Sequence, residues 1–174
     1  MTGGTSGAAT SGMSGGAGGR GSDIARADRK MLRDIAQANM AEIATGQLAL
    51  EKSQSAEVKT FAQKMIDDHT KGLDDTKALA SAKGIDLPDG PDVKHKALAT
   101  AMKAMSGETF DRQYMAQAGL RDHRTTHELL QKTERTAKDP ELKALAAKML
   151  PVVHGHLEMA EGMPQTKTSS KNKK

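Results

Sequence analysis

Four side chains set the chemistry this sequence can support: Glu42, His69, His123 and His156. Measured along two helical hairpins that turn near Gln54 and Lys138, they fall at nearly the same height. Glu42 stands 12 residues before the first turn and His69 15 after it. His123 stands 15 before the second turn and His156 18 after it. Three residues of helix rise only about 4.5 Å, so all four would lie within one turn of a common layer. Each also sits on or beside an apolar stripe, and buried ionisable groups need partners. Imidazole and carboxylate together suit Fe, Zn or Cu. Two outcomes compete: a metal site, or a hydrogen-bonded polar layer that fixes helix register and binds nothing.

Other polar residues bear on that choice. His127 follows His123 by one turn, a spacing that could chelate an ion on one helix face or simply place a polar edge on the stripe. Asp68 could orient a ligand histidine from behind, while Asp67, Asp74 and Asp75 read as a solvated acidic face. His154 projects to the side of His156 into solvent, and His95 forms a weak surface pair with Asp92. Met159 and Met163 near His156 would interest copper, although methionine at helical spacing commonly fills a core. The chain has no Glu-x-x-His, the pairing that brings bridging carboxylates to di-iron bundles. It also lacks a phosphate-cradling glycine loop, a nucleophile elbow and His-Glu-x-x-His. Phe61, Phe110 and Tyr114 are the only aromatics, too few for a base-stacking platform, so nucleic acid is not expected as a partner. The expectation is a non-enzymatic protein.

The elements that must position these groups are helices. Val58, Ala62, Met65, His69 and Leu73 share one stripe of a helix that Ser55 caps and Gly84 ends. Asp139–Leu150, DPELKALAAKML, aligns without a gap on Ser55–Ile66, matching Glu57/Glu141, Lys59/Lys143, Ala62/Ala146, Lys64/Lys148 and Met65/Met149. Two similar helices, each preceded by another, imply two related hairpins. The first helix is expected from a cap at Ser22 or Asp23 to about Lys52, with Gly46 marking close approach of a neighbour. A long crossover should carry a short helix over Asp92–Met105, with Val93, Ala97, Leu98 and Ala101 on one side. Ser106 starts the next helix, which runs to about Ala137. Asp139 and Pro140 start the last, with Leu142, Leu145, Met149, Val152, His156, Met159 and Met163 on one face and a bend at Pro151. No strand pattern occurs. The expected class is all-α, a four-helix bundle of two antiparallel hairpins with a long crossover.

The 174 residues divide into a glycine- and serine-rich start (1–22), one bundle (23–163) and a lysine-rich end (164–174), both ends expected to be disordered. Arg20, Lys167, Lys171, Lys173 and Lys174 carry the formal net charge of +4, so the bundle is close to neutral. The tail could touch anionic surfaces weakly. A protein partner on the crossover is a further option. The absence of cysteine excludes disulfides, thiolate metal sites, thiol catalysis and a lipoprotein anchor. No apolar run approaches membrane-spanning length, and no signal peptide is visible. Such a start could equally be that of a mature exported chain whose leader was replaced by a start codon.

The blocks MAEIATGQLALEKSQSAEVKTFAQKMIDDHTKGL, GIDLP, SGETFDRQYMAQAGLRDH and DPELKALAAKMLPVVHGHLEMA, in that order, resemble a bacterial ferritin-like family catalogued as domain of unknown function forty-one forty-two. The resemblance covers about Asp23 to Gly162. It implies a ferritin-like four-helix bundle and export to the periplasm, with members often labelled outer-membrane or exported proteins. The family's recurrent polar positions would fall on Glu42, Asp68, His69, His123 and His156, with His127 and His154 as additions. It implies no reaction. The leading expectation is thus an exported binding or envelope-associated protein, with stress tolerance as a candidate role and a buried Glu/His layer; the alternative is a ferritin-like binder of Fe, Zn or Cu.

Overall fold

The computed structural model describes residues 24–164, which are helical with no strand among them. The expectations for 1–22 and for nearly all of 164–174, and the caps at Ser22 and Asp23, lie outside the described residues. Helix α1 (Arg26–Lys52) turns through Ser53 into α2 (Ala56–Ala82). Ser55 caps α2 by accepting from the Val58 N–H at 3.3 Å, with Glu57 in the first turn where the helix dipole favours an acid. Gly84, at φ 64°, ends it: its N–H reaches Ser81 O, and the Ile85 N–H reaches Ala80 O at 2.8 Å. These two bonds satisfy the last carbonyls in a Schellman arrangement that a left-handed glycine permits.

Short helix α3 (Val93–Lys103), capped by Asp92, leads to a rod that is helical without a break from Gly107 to Thr136. The rod comprises α4 (Gly107–Tyr114), a π-helical segment (Met115–Asp122) and α5 (His123–Thr136). Asp139 then accepts from the Glu141 and Leu142 N–H groups and starts α6 (Pro140–Gly162) at its proline. This helix continues past Pro151, and Ala147, whose carbonyl the proline cannot bond, is exposed to water.

Helix α1 packs along α2, α5 along α6, α2 meets α6, and α1 meets α5. Hairpin contact is close at Gly46, where a methyl group would stand 2.9 Å from Ile66 Cγ1 and 3.2 Å from Ala62 O. The apolar core is in two parts. One gathers Leu32 and Ile35 of α1, Ala80 of α2, Leu130 of α5 and Leu142–Val153 of α6. The other gathers Leu48, Phe61, Met65, Phe110, Tyr114 and Ala160. On every rod, one buried polar stretch lies between the two: Asn39 and Glu42, His69, His123, and His156.

Two faces differ from the sequence-based expectation. On α3, Val93 is 82% exposed and Ala97 and Ala101 also face water, while Met102 is buried and Leu98 partly so. A helix of three turns has few apolar residues to fix its rotation, and Met102 buries the larger side chain. On α6, Val153 and Ala160 face inward in place of Val152 and Met159, which are exposed. The reason lies opposite, at Gly119: a methyl group there would stand 3.4 Å from Ala160 Cβ, so the approach demands a small residue. The π segment was not foreseen at all.

Candidate functional site

Each histidine of the polar layer arrives from a different helix, and each is at most 3% exposed. The stripe of α2 that buries Val58, Ala62 and Met65 carries His69 inward one turn later. The α6 face of Met149 and Val153 does the same for His156. His123 opens α5, directly after the π segment. The three ring planes lie with centroids 5.2–5.4 Å apart. Their inward nitrogens are closer: His69 Nε2 and His156 Nδ1 each lie 3.3 Å from His123 Nε2.

The outward nitrogens decide where the protons are. His69 Nδ1 donates to Asn39 Oδ1 at 2.9 Å, and Asn39 is held in that orientation because its amide donates to Ile35 O. His123 Nδ1 donates to Ala118 O at 2.6 Å. His156 Nε2 donates to Asp68 Oδ2 at 2.7 Å. A neutral imidazole has one N–H and one lone pair, so the three inward nitrogens all present lone pairs. Burial, reinforced by His123 and His156, pushes His69 well below the ordinary imidazole value. Burial also takes His123 down to about 4, against the opposing Ala118 bond. His156 is lowered by burial despite its bond to Asp68. Partial burial alone would raise Asp68, but the bonds from Lys64 and His156 hold it below the usual carboxylate range. Three buried acceptors thus face one another with no proton among them, and three such histidines could hold a metal ion.

The π segment supplies one of the three outward partners. Ala118 O is five residues before His123, and Gln117 bonds Asp122 across the same interval at 2.9 Å. Neither pair meets on an ordinary α-helix, whose neighbours are three and four apart. Segments of this kind recur at functional sites.

Glu42 is in the layer but not at its centre. Its Oε1 lies 3.6 Å from His123 Nδ1, the nitrogen already committed to Ala118, and neither carboxyl oxygen has a hydrogen-bond partner. Burial, then the charge of Asp122, raises Glu42 well above the carboxylate range, so this close pair is neutral rather than ionic. His127 lies outside the layer, its ring 5.6 Å from that of exposed His154. Met159 points to solvent. Asp67 and Asp74 are exposed, as an acidic face requires.

Sequence reasoning set His95 and Asp92 aside as surface chemistry, whereas His95 is mostly covered and lines a cavity with Glu42 and Asp122. It gave no role to Asn39 or Asp122. The available signal for the pairing of Asn39 with His69 was their equal distance, 15 residues, from the turn near Gln54. A second cavity, of about 130 Å³, reaches His69 from outside past Asp68, Lys71, Asp75 and Lys148. No described helix is long and apolar enough to cross a membrane.

Three solved structures share this fold. A DUF305 fragment from Deinococcus radiodurans is 16% identical with a TM-score of 0.71, covering 80% of this chain and 95% of that one. A DUF305 protein from Streptomyces coelicolor, named as secreted, is 13% identical with a TM-score of 0.65, covering 77% and 88%. CopM in the Cu(II)-bound form is 16% identical with a TM-score of 0.63, covering 77% and 93%. At such identities the likeness is one of fold. No curated protein matches the sequence significantly. Residues 16–163 match the family described as a domain of unknown function, DUF4142, and the chain belongs to that family.

Proposed function

We propose that this protein binds a divalent transition-metal ion, held by His69 Nε2, His123 Nε2 and His156 Nδ1 inside a ferritin-like four-helix bundle. One observation carries the reading: all three outward nitrogens are spent on acceptors, so three lone pairs converge in a buried space. Leaving buried acceptors unsatisfied costs about 1–3 kcal/mol each, and a cation removes that cost. Nitrogen ligands at about 2.0–2.1 Å on a tetrahedral ion stand about 3.3 Å apart. Two of the three separations here are already 3.3 Å, both to His123 Nε2, and all three nitrogens lie within 4.8 Å of one another. An inert layer needs a proton between the rings, which burial opposes. Three protein nitrogens leave a fourth position open to water or another ligand.

Imidazole suits copper and zinc, and the Cu(II)-bound state of CopM makes copper the first ion to try. The role is to hold the ion rather than to transform a substrate, since among the described residues no nucleophile or bridging-carboxylate constellation accompanies it. Family resemblance and the secreted name of the Streptomyces neighbour support an exported protein.

Copper titration of chain purified without chelator or nickel, followed by electron paramagnetic resonance, tests the site. One equivalent of Cu(II) with splitting from several nitrogens is expected, falling at least tenfold in affinity in His69→Ala and His156→Ala. Binding that is absent, or that both variants retain, would overturn the assignment.

A further inference from the structure

A cavity that α3 helps to enclose has a chemistry of its own. It measures about 260 Å³ and is walled by α1, α3, the end of the π segment and the start of α5. At roughly 30 Å³ per water, it has room for an ion and several waters. Asp34, Glu42, Asp92 and Asp122 line it, with Lys94 and His95 as its basic residues. An acidic wall alone would be ordinary surface. This one includes Glu42, 2% exposed, with both oxygens buried and without a hydrogen-bond partner. A carboxyl so placed needs a partner from within the cavity.

His95 is arranged to supply the remaining ligand. Asp92 accepts from the backbone N–H of His95 at 3.1 Å through Oδ1 and from its ring Nδ1 at 2.5 Å through Oδ2. A carboxylate on one ring nitrogen is how proteins fix the tautomer and direction of a metal-binding histidine. The other nitrogen, Nε2, is 3.5 Å from Asp122 Oδ1. That is long for a hydrogen bond and close to the separation of two ligands on one ion. Asp122 is itself steadied by Gln117 across the π segment.

We propose that this cavity is a second cation site, in which Glu42, Asp122 and His95 bind a hydrated divalent ion of the oxygen-preferring kind, represented by Mn²⁺. Two carboxylates with waters suit Mn²⁺, and one imidazole favours it over Mg²⁺ or Ca²⁺. On binding, the ion takes the Nε2 lone pair of His95 and the carboxylate of Glu42, and the proton that Glu42 holds, with any on Nε2, leaves to solvent. This site shares no ligand with the imidazole cluster, to whose His123 Nδ1 the Glu42 carboxyl stands at 3.6 Å.

Titrating the full chain with Mn²⁺ while recording the free-ion resonance tests it. One equivalent should bind in the wild type and equally in His69→Ala. His95→Ala, on a partly exposed position of α3, and Glu42→Gln, nearly isosteric, should each weaken it at least tenfold with helical content unchanged. Asp92→Asn, which leaves the three ligands in place, should weaken it less. Absence of Mn²⁺ binding, equal binding in His95→Ala and Glu42→Gln, or loss of the ion in His69→Ala would each overturn the second site.

Discussion

His123 is fully buried, and its ring titrates at about 4 against an ordinary 6.5, with His69 and His156 displaced in the same direction. The unfolded chain therefore takes up protons in this interval that the folded chain refuses. Stability from the histidines is fully present above their unfolded value and is lost as pH falls toward the folded one. For His123 this amounts to about 3 kcal/mol. Glu42 has the opposite sign. Its raised folded value keeps a proton that the unfolded chain releases above 4.5, so its contribution declines as pH rises. For metal-free protein in chelator, the Tm should fall between about pH 7 and about pH 5. Glu42→Gln should gain on the wild type progressively as pH rises above 4.5. A Tm unchanged across that acid window would mean that the rings protonate where they stand, which removes the lone-pair convergence.

Among the elements, α1 is held to the second hairpin by a residue that no motif announces. Asp28, 1% exposed in the first turn of α1, accepts from the N–H groups of Lys138 and Asp139 at 2.9 and 2.7 Å. Those two donors belong to the turn between α5 and α6, and no other group in the turn replaces the carboxylate. Charge-assisted bonds of this kind contribute about 1.5–3 kcal/mol each, so Asp28→Ala should cost about 3 kcal/mol in urea unfolding and leave Cu(II) stoichiometry unchanged. Asp28→Asn, which keeps an acceptor, should cost less; equal losses would point to packing. Helix starts and stops were legible where a local residue enforces them, as Ser55, Asp139 and Gly84 do. The layer of His69, His123 and His156 was legible because helical rise converts residue counts into height. Rotation was less so. The inward turn of Ala160 depends on Gly119, and that of Met102 on the packing of α3 against α1, neither of which a stripe records. The π segment was invisible because its pairs, Gln117 with Asp122 and Ala118 with His123, are five apart, an interval no apolar pattern marks. The acceptors of the three rings, Asn39, Ala118 and Asp68, stand on three separate helical segments, and only the assembly brings them to the histidines.

In the whole molecule, the polar layer interrupts an apolar core and divides it into two clusters. It is therefore a seam along which packing alone holds the hairpins less tightly. An ion on His69 of α2, His123 of α5 and His156 of α6 would join the first hairpin to the second at that seam. Such an ion binds the folded chain and has no formed site in the unfolded one, so occupancy adds directly to stability. At a free concentration 100 times the dissociation constant, the gain is about 2.7 kcal/mol. For a domain of this size that corresponds to a Tm rise of about 5–10 °C. The rise should appear with Cu(II) or Zn(II) in the wild type, disappear in His156→Ala and survive in His95→Ala. Hydrogen exchange should slow in both hairpins together, around His69 as well as around His156, because the ion restrains both sides of one seam. Protection confined to α5 and α6 would mean that the metal sits on the second hairpin alone, and would exclude His69 from its ligands.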